Sequence, residues 1–263
     1  MTITQHTIQI EPDLQQWFLG TTSSDDEFAM VAVDRMSSHA YQVKMIDGVM
    51  QLLEPNVADK RVSKPLQHAI DIERFIARQG SFPASKKDLL GQAIGRKTET
   101  LIDATAGWAG DSLHFCSQGY QVSCIERSHL LCGFLREAMS RLADSAWVQQ
   151  NAIPVPQVIA ADAVDYLPTL SSAESPDCVY LDPMFPEKRK RSALAKKNMQ
   201  LLQQIVGQDN DQEQLFLAAY HTANRRVVVK RPDHAESLGG SSDLKPSQQL
   251  RGKLLRYDVY LKP

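Results

Sequence analysis

The feature that most constrains the fold is an alternation of short apolar runs and helix-like segments that begins near residue 100. The pattern predicts strands near residues 100–105, 121–126, 156–161, 177–182 and 225–230. It predicts helices near residues 110–118, 128–143, 196–206 and 211–223, and a last strand over residues 254–261. Such alternation is typical of a mostly parallel sheet that helices cover on both faces. Because open α/β sheets bind ligands at the carboxyl ends of their strands, the turns at that edge are the candidate site.

The amino-terminal part of the chain has a different character and is predicted to form a small α+β region. Residues 28–53 contain three strand-like segments, and Asp47-Gly48 is a strong hairpin signal between two of them. We expect a small antiparallel unit here, followed by helices over residues 56–97. The predicted domains are residues 1–97 and residues 98–263.

Composition and charge argue against several classes of protein. The net charge of this 263-residue chain is −2, so contact with a nucleic acid would have to come from a local basic patch. No apolar run approaches the roughly 18 residues that span a bilayer, and the amino terminus has no signal-peptide pattern. The four cysteines form no C-x-x-C pair and do not cluster with histidines. We therefore expect a cytoplasmic protein with no membrane segment and no metal site.

The turn after the first predicted strand reads Asp-Ala-Thr-Ala-Gly-Trp-Ala-Gly-Asp over residues 103–111 and is the candidate cofactor turn. Gly107 and Gly110 permit a close approach of ligand to backbone, although their spacing is not that of a dinucleotide fingerprint. The carboxylate of Asp103 either contacts the cofactor or orders the loop. Asp111 places a second carboxylate at the start of the next helix, which disfavours a pyrophosphate and suits the cationic sulfonium of S-adenosylmethionine.

Acidic residues also follow the next two predicted strands. Glu126 lies nineteen positions after Gly107, near the offset at which an acid accepts hydrogen bonds from both ribose hydroxyls. A free ribose occurs in nicotinamide dinucleotides and in S-adenosylmethionine, so this acid alone does not separate the two. Asp162 either accepts from an adenine amine, with the Ala163 N–H close by, or caps the helix that begins there.

The most specific motif is Asp-Pro-Met-Phe-Pro at residues 182–186. Its prolines fix φ and lack N–H donors, so the carbonyls near Asp182 and Pro183 are free to act as acceptors. Phe185 offers a face on which a base can stack, an interaction worth about 1–3 kcal/mol. These groups suit a planar amine, whose lone pair is freed for methyl transfer when its protons bond to Asp182. In the alternative interpretation the motif is a rigid loop with Phe185 in the core.

Basic residues crowd beside this motif and are predicted to contact RNA phosphates. They are Lys188, Arg189, Lys190, Arg191, Lys196 and Lys197, joined by Lys230 and Arg231 at the end of a later strand. A target base inside a folded RNA would have to be splayed out of its stack to reach Asp182.

The chain resembles a known family at four motifs. They are Asp-Ala-Thr-Ala-Gly at residues 103–107, Glu126-Arg127, Tyr-Leu-Asp-Pro-Met-Phe-Pro at 180–186 and Val-Val-Val-Lys-Arg-Pro at 227–232. These motifs are similar to those of the RsmJ-type small-subunit ribosomal RNA guanine-N2 methyltransferases. The resemblance covers about residues 100–260. It implies a class I methyltransferase fold, S-adenosylmethionine as donor, and a guanine of 16S ribosomal RNA, free or in the small subunit, as target.

The resemblance also implies a set of cofactor contacts, with two departures from the family pattern. The implied positions are Gly110, Asp111, Glu126, Arg127, Asp162, Ala163 and Asp182. The family turn typically reads Gly-Leu-Gly-Arg-Asp, whereas this chain has Gly-Trp-Ala-Gly-Asp at residues 107–111, so Gly110 can offer only backbone atoms. Asp162 stands where the family often has a small hydroxyl residue.

Three other functions are consistent with part of this pattern. The first is an enzyme of the same fold that methylates adenine or a protein amide, and Met184 together with the resemblance favours guanine over these. The second is an inactive RNA-binding assembly factor, which would be expected to lack Glu126 or Asp182. The third is a nicotinamide enzyme, which the glycine spacing disfavours.

Overall fold

A computed structural model describes residues 6–18, 28–32, 41–53, 67–183 and 211–263 of the chain. Within these residues the backbone forms two sheets, one near the amino terminus and a larger one that follows it. The predicted helix at 196–206 and most of the Asp-Pro-Met-Phe-Pro motif lie outside the described residues.

The amino-terminal sheet has five short strands in the order β2-β1-β3-β4-β5. They are β1 (His6–Ile10), β2 (Phe28–Ala32), β3 (Tyr41–Ile46), β4 (Val49–Leu53) and β5 (Gln67–His68). The hairpin prediction is confirmed, because Asp47 and Gly48 turn between β3 and β4 with φ of 50° and 74°. The prediction of a purely antiparallel unit is wrong. Strand β1 lies between β2 and β3 and runs parallel to both.

The larger sheet and the helices account for most of the remaining described residues. Its strands are β6 (Thr100–Asp103), β7 (Gln121–Glu126), β8 (Gln157–Ala160), β9 (Cys178–Leu181), β10 (Arg226–Pro232), β11 (Gln248–Arg251) and β12 (Leu255–Leu261). The helices are α1 (Ile72–Ile76), α2 (Leu89–Ile94), α3 (Gly110–Ser117), α4 (His129–Asp144), α5 (Ala146–Asn151), α6 (Ala163–Tyr166) and α7 (Gln212–Thr222). A 3₁₀ helix also spans Pro12–Phe18.

The strand order in the larger sheet is β11-β12-β10-β9-β6-β7-β8. Strands β8, β7, β6, β9 and β10 run parallel, and β12 is antiparallel to both β10 and β11. The carboxyl ends of the five parallel strands therefore meet at one edge, which we call the carboxyl edge. This arrangement confirms the predicted mostly parallel α/β sheet of a class I methyltransferase.

Apolar side chains cover both faces of the sheet because successive residues of a strand point in opposite directions. On β9, Tyr180 faces one buried cluster, and its neighbours Val179 and Leu181 face another. On β10, Val228 belongs to the first cluster and Val227 to the second. This two-sided burial explains why these strands are continuously apolar in the sequence.

The amino-terminal sheet packs against α4 and shares a core with the larger sheet. Ile8 and Met50 belong to the same buried cluster as Phe134 of α4. Arg141 of α4 contacts the Glu73 carboxylate at 2.9 Å, which ties α1 to the same helix. The division of the chain between residues 97 and 98 stays a prediction, since one apolar cluster spans both parts.

The described residues contain neither a candidate membrane span nor a candidate metal site. None of the helices in the ranges above is both long and apolar enough to cross a bilayer. Within the same ranges, His, Cys, Asp and Glu side chains form no group of three or more that could hold a metal ion. The four cysteines are buried free thiols.

The contact between Phe18 and α4 predicts a large effect from a single methyl group. A β-carbon built at Gly133 would lie 2.0 Å from Cε1 of Phe18, so Gly133→Ala forces this buried ring to move. Overpacking costs about 1–3 kcal/mol, and we expect it to outweigh the roughly 1 kcal/mol that alanine gains in a helix. Urea unfolding should therefore show a lower midpoint for Gly133→Ala.

The matched control is Gly80→Ala, because no atom lies within 4 Å of the position of its β-carbon. We expect this variant to unfold within about 0.5 kcal/mol of the wild type. Equal stability of Gly133→Ala and Gly80→Ala would contradict the packing described for Phe18.

Candidate active site

The candidate site lies at the carboxyl edge, where the turns after β6, β7, β8, β9 and β10 meet. Two hydrogen bonds join the turn after β6 to the end of β9. The Asp182 N–H donates to Thr105 Oγ1 at 2.7 Å, and the Ala104 N–H donates to the Tyr180 carbonyl at 3.0 Å. The two motifs that the sequence singled out are therefore held side by side.

Asp103 orders the first turn from within the protein interior. Its side chain is 1% exposed and accepts hydrogen bonds from Ser112 Oγ at 2.5 Å and from the Thr105 N–H at 3.1 Å. Burial raises the pKa of Asp103 to about 7, an effect that the hydrogen bond from Ser112 partly opposes. Of the two roles considered for this carboxylate, the structure supports ordering of the loop, and contact with the cofactor stays a prediction.

Glu126 connects the first turn to the second. Its Oε2 accepts the Gly107 N–H at 2.9 Å, and its Oε1 accepts the Ser128 N–H at 2.8 Å. The side chain is 5% exposed. A carboxylate oxygen has two lone pairs and can accept more than one hydrogen bond. The predicted acid therefore lies directly beside the glycine turn.

The backbone of the first turn is shaped for a close approach. Gly107 has φ of 52°, and among the described residues the atom nearest to its hypothetical β-carbon is the Thr105 carbonyl oxygen at 3.9 Å. Ala109 adopts the left-handed conformation with φ of 58° before α3 begins at Gly110. A β-carbon at Gly110 would meet no atom of the described residues within 4 Å. Within the part of the chain that the structure describes, space is therefore open beside the start of α3.

The turn after β8 is placed beside Glu126, because the Ala161 N–H donates to the Glu126 carbonyl at 3.1 Å. Asp162 caps α6 by accepting the Val164 N–H at 2.8 Å. This bond establishes the capping role and leaves contact with an adenine amine as a prediction. Arg127 lies with its guanidinium 3.4 Å from Asp211, at the start of α7.

Lys230 joins the start of α3 to the residue that follows β9. Its ammonium lies 2.8 Å from Asp111 Oδ2 and 2.8 Å from Asp182 Oδ2. The Tyr180 hydroxyl donates to the same Asp111 oxygen at 2.5 Å. The side chains of Lys230, Asp111 and Asp182 are 23%, 28% and 37% exposed, respectively, so all three are accessible to a ligand.

The two carboxylates determine the protonation of this lysine. Burial by itself would lower the pKa of Lys230, but the negative charges of Asp182 and Asp111 outweigh it and raise the pKa above its ordinary value. Burial also raises the pKa of Tyr180 well above its ordinary value, so this hydroxyl keeps its proton. The site thus contains a permanent cation between two acceptors.

Two of the predicted RNA-contacting cations lie among the described residues, and protein groups bind both of them. Lys230 is engaged within the site, and Arg231 is only 6% exposed. The Arg231 guanidinium donates to Gln212 Oε1 at 3.3 Å and to the Glu236 carbonyl, so it faces the protein interior and not a phosphate. The remaining predicted residues, together with Phe185, lie outside the described residues: Lys188, Arg189, Lys190, Arg191, Lys196 and Lys197.

Sequence reasoning missed two contributors to the site and the bridging role of a third. Thr105 positions the Asp182 backbone and Tyr180 bonds to Asp111, while Lys230, predicted as an RNA contact, bridges the carboxylates. The sequence did offer a signal for Lys230. Successive side chains of a strand point to opposite faces of the sheet, so residues 230 and 231 could be expected to have different surroundings. Nothing comparable in the sequence places Thr105 against Asp182.

These groups fit a nucleoside that carries a cationic centre. Glu126 offers buried acceptor oxygens suited to ribose hydroxyls, and open backbone adjoins Gly107 and Gly110. Asp111 and Asp182 supply negative charge at the end of β9. A pyrophosphate would instead meet the Asp111 carboxylate at the start of α3, which disfavours a dinucleotide.

Comparison with known proteins gives a consistent result. Residues 34–262 match the family model for a putative SAM-dependent methyltransferase. The chain is 41% identical over 182 residues to a Ribosomal RNA small subunit methyltransferase J from Hydrogenovibrio crunogenus, a match that covers 68% of this chain and 64% of that relative. It is 35% identical over 251 residues to the protein of the same name from Saccharophagus degradans, a match that covers 90% of both chains.

The fold also matches a solved structure. A SAM-dependent methyltransferase from Neisseria gonorrhoeae superposes with a TM-score of 0.68 and 25% identity, over 97% of this chain and 95% of that one. The match includes the amino-terminal sheet as well as the larger sheet. The chain therefore belongs to the ribosomal RNA small subunit methyltransferase J family of S-adenosylmethionine-dependent methyltransferases.

Proposed function

We propose that this chain transfers the methyl group of S-adenosylmethionine to the exocyclic N2 of a guanine in small-subunit ribosomal RNA. The observation that carries the proposal is Asp182, a carboxylate that follows β9, precedes a proline and is bonded to Lys230 beside the glycine turn. Relatives named Ribosomal RNA small subunit methyltransferase J support RNA as the substrate class. Such a substrate also implies a cytoplasmic protein.

In the proposed complex, the turns after β6, β7 and β8 hold the donor. Glu126 would accept hydrogen bonds from the ribose hydroxyls, with its orientation fixed by the N–H groups of Gly107 and Ser128. Ala163 would offer its N–H to the adenine while Asp162 receives the amine. Gly110 would contribute backbone only. When bound, S-adenosylmethionine supplies an electrophilic methyl group on a sulfonium.

Asp182 would act on the acceptor amine. The lone pair of an exocyclic guanine amine is delocalised into the ring, which makes the nitrogen a weak nucleophile. A hydrogen bond from this amine to Asp182 would hold the nitrogen in line and localise its lone pair. The new N–C bond would form as the methyl–sulfur bond breaks and a neutral thioether leaves. The nitrogen would then carry a positive charge and lose a proton to Asp182 or to water. Pro183, which is buried, would keep the carbonyl before it turned toward the crevice.

Lys230 would keep Asp182 in its ionised, accepting state. A cation 2.8 Å from Asp182 Oδ2 stabilises the carboxylate in the charged form that accepts hydrogen bonds from the amine. The same ammonium lies 2.8 Å from Asp111, so it also links Asp182 to the start of α3. Lys230 is therefore a positioning residue in this proposal.

Base stacking and phosphate contacts would come from residues beside the Asp-Pro-Met-Phe-Pro motif. Phe185 would stack on the splayed-out guanine. The basic run Lys188, Arg189, Lys190, Arg191, Lys196 and Lys197 would hold the flanking phosphates. Arg231 is not part of this set, because its guanidinium is bonded inside the protein.

The function is tested most simply by Asp182→Asn assayed on small ribosomal subunits that lack the modification. The amide keeps the size of the side chain but loses the negative charge and half of the acceptor capacity. We expect kcat to fall at least about 100-fold while RNA affinity stays near the wild-type value. Mass spectrometry of digested nucleosides should identify N2-methylguanosine as the wild-type product.

The matched control is Asp144→Asn, because Asp144 is exposed at the end of α4, away from the carboxyl edge. It should turn over at the wild-type rate. Wild-type turnover by Asp182→Asn would remove this carboxylate from the mechanism. A methylated product other than N2-methylguanosine would exclude the proposed target atom.

A second variant tests the cofactor role of Glu126. Hydrogen bonds to charged groups contribute about 1.5–3 kcal/mol each, so Glu126→Gln should weaken S-adenosylmethionine binding roughly 10- to 100-fold. Calorimetric titration measures this change directly. The control Glu99→Gln alters an exposed carboxylate just before β6 and should leave affinity unchanged. Equal affinities of the two variants would remove Glu126 from the cofactor site.

A further inference from the structure

A second surface at the carboxyl edge is formed by the turn between β11 and β12, residues 251–254, which we call the hairpin tip. The strand registers locate it. Leu255 pairs with Pro232, and Tyr257 pairs with Lys230, so the start of β12 lies beside the end of β10. Because β10 ends at the candidate active site, the hairpin tip belongs to the same edge of the sheet.

The same registers give the distance from the hairpin tip to Asp182. Strands β9 and β12 lie on either side of β10, which separates them by roughly 10 Å. Leu255 is two residues beyond Tyr257 along β12, a shift of roughly 7 Å. The hairpin tip is therefore too far away to contact the reacting amine, and close enough to contact nucleotides that flank it.

Leu254 is exposed to an unusual degree. Its side chain is 80% exposed, whereas Met45 and Leu261, the other exposed large apolar side chains among the described residues, are 39% and 40% exposed. Leu254 therefore contributes almost nothing to the core. Apolar side chains that project in this way act as wedges between bases in several nucleic-acid complexes.

The hairpin tip is anchored to the loop that follows β10. The Asp233 N–H donates to the Leu254 carbonyl at 3.3 Å, and Arg251 forms an ion pair with the Asp233 carboxylate. Arg256 donates to the Asp233 carbonyl at 2.6 Å and is itself paired with the buried Asp258. These bonds fix the position of Leu254 relative to the site before any substrate arrives.

Charge at the hairpin tip complements a phosphate backbone. Lys253 is exposed and forms no ion pair with any part of the chain that the structure describes. The charge of Arg251 is already balanced by Asp233, so Lys253 is the free cation of this turn. A fixed apolar side chain next to an unpaired cation suits a base and the phosphate attached to it.

We propose that the hairpin tip contacts the RNA substrate beside the target guanine, with Lys253 on a phosphate and Leu254 packed against a neighbouring base. The inference rests on the proposed function, because it assigns this turn a part of the same RNA. Packing of Leu254 on the exposed base would help to hold the strand open once the guanine has left its stack.

The test compares Leu254→Ala and Lys253→Ala with controls at the opposite edge of the sheet. Leu261→Ala removes a half-exposed leucine from the other end of β12, and Lys97→Ala removes an exposed lysine before β6. The probe is the small ribosomal subunit without the modification, with affinity measured at several salt concentrations. We expect about ten-fold weaker binding for Leu254→Ala. For Lys253→Ala, the slope of log K against log salt should become shallower by about 0.7.

Both hairpin-tip variants should bind S-adenosylmethionine as the wild type does. Affinities and slopes equal to those of the two controls would overturn the proposal. A loss for Leu254→Ala with an unchanged slope for Lys253→Ala would indicate contact with a ribosomal protein and would also overturn it. Failure of the proposed function is a separate result, namely that the wild type produces no N2-methylguanosine in these subunits.

Discussion

The pairing of Lys230 with two carboxylates is the interaction on which the rest of the site depends. Asp182 follows β9, Asp111 belongs to α3 and Lys230 belongs to β10, so one ammonium joins three elements at the carboxyl edge. Without the cation, two like charges would face each other in a partly buried crevice, where their repulsion is stronger than in water. With it, one carboxylate can face the donor while the other faces the acceptor amine.

Family membership and geometry lead to the same function from different directions. The relatives are named as ribosomal RNA methyltransferases. The geometry independently pairs a turn suited to a nucleoside with an acceptor suited to a planar amine. The hairpin tip would add a second contact with the RNA. When the guanine leaves its stack, the neighbouring bases lose a stacking partner, and the hairpin tip could pack against one of them. The candidate active site and the hairpin tip together would contact the reacting guanine and the nucleotides beside it.

Much of the fold could be predicted from the sequence because the signals were local. Apolar runs that lead to an acid marked four of the five parallel strands, a run that leads to Lys230 marked β10, and each strand lies within two residues of its predicted boundaries. Strand order is a long-range property that one sequence does not reveal. This explains why the parallel strand β1 was missed and why Lys230 was not matched with Asp182, which follows the neighbouring strand.

The site was predicted more accurately in its positions than in its roles. Asp103 and Asp162 each had two explanations. Local hydrogen bonds to Thr105 and Val164 establish the structural role in both cases and leave contact with a cofactor as a prediction. Lys230 and Arg231 were assigned together because they are adjacent in sequence. Adjacent residues of a strand point to opposite faces, which explains why Lys230 contacts Asp182 while Arg231 is buried.

The central claim is that Lys230 holds Asp182 as an ionised acceptor, and the pH dependence of kcat/KM for Lys230→Met tests it most directly. A carboxylate without its neighbouring cation takes up a proton more readily, so the acidic limb of the profile should move to higher pH, and Lys230→Arg should restore it. A Lys230→Met enzyme whose acidic limb coincides with that of the wild type would contradict the claim.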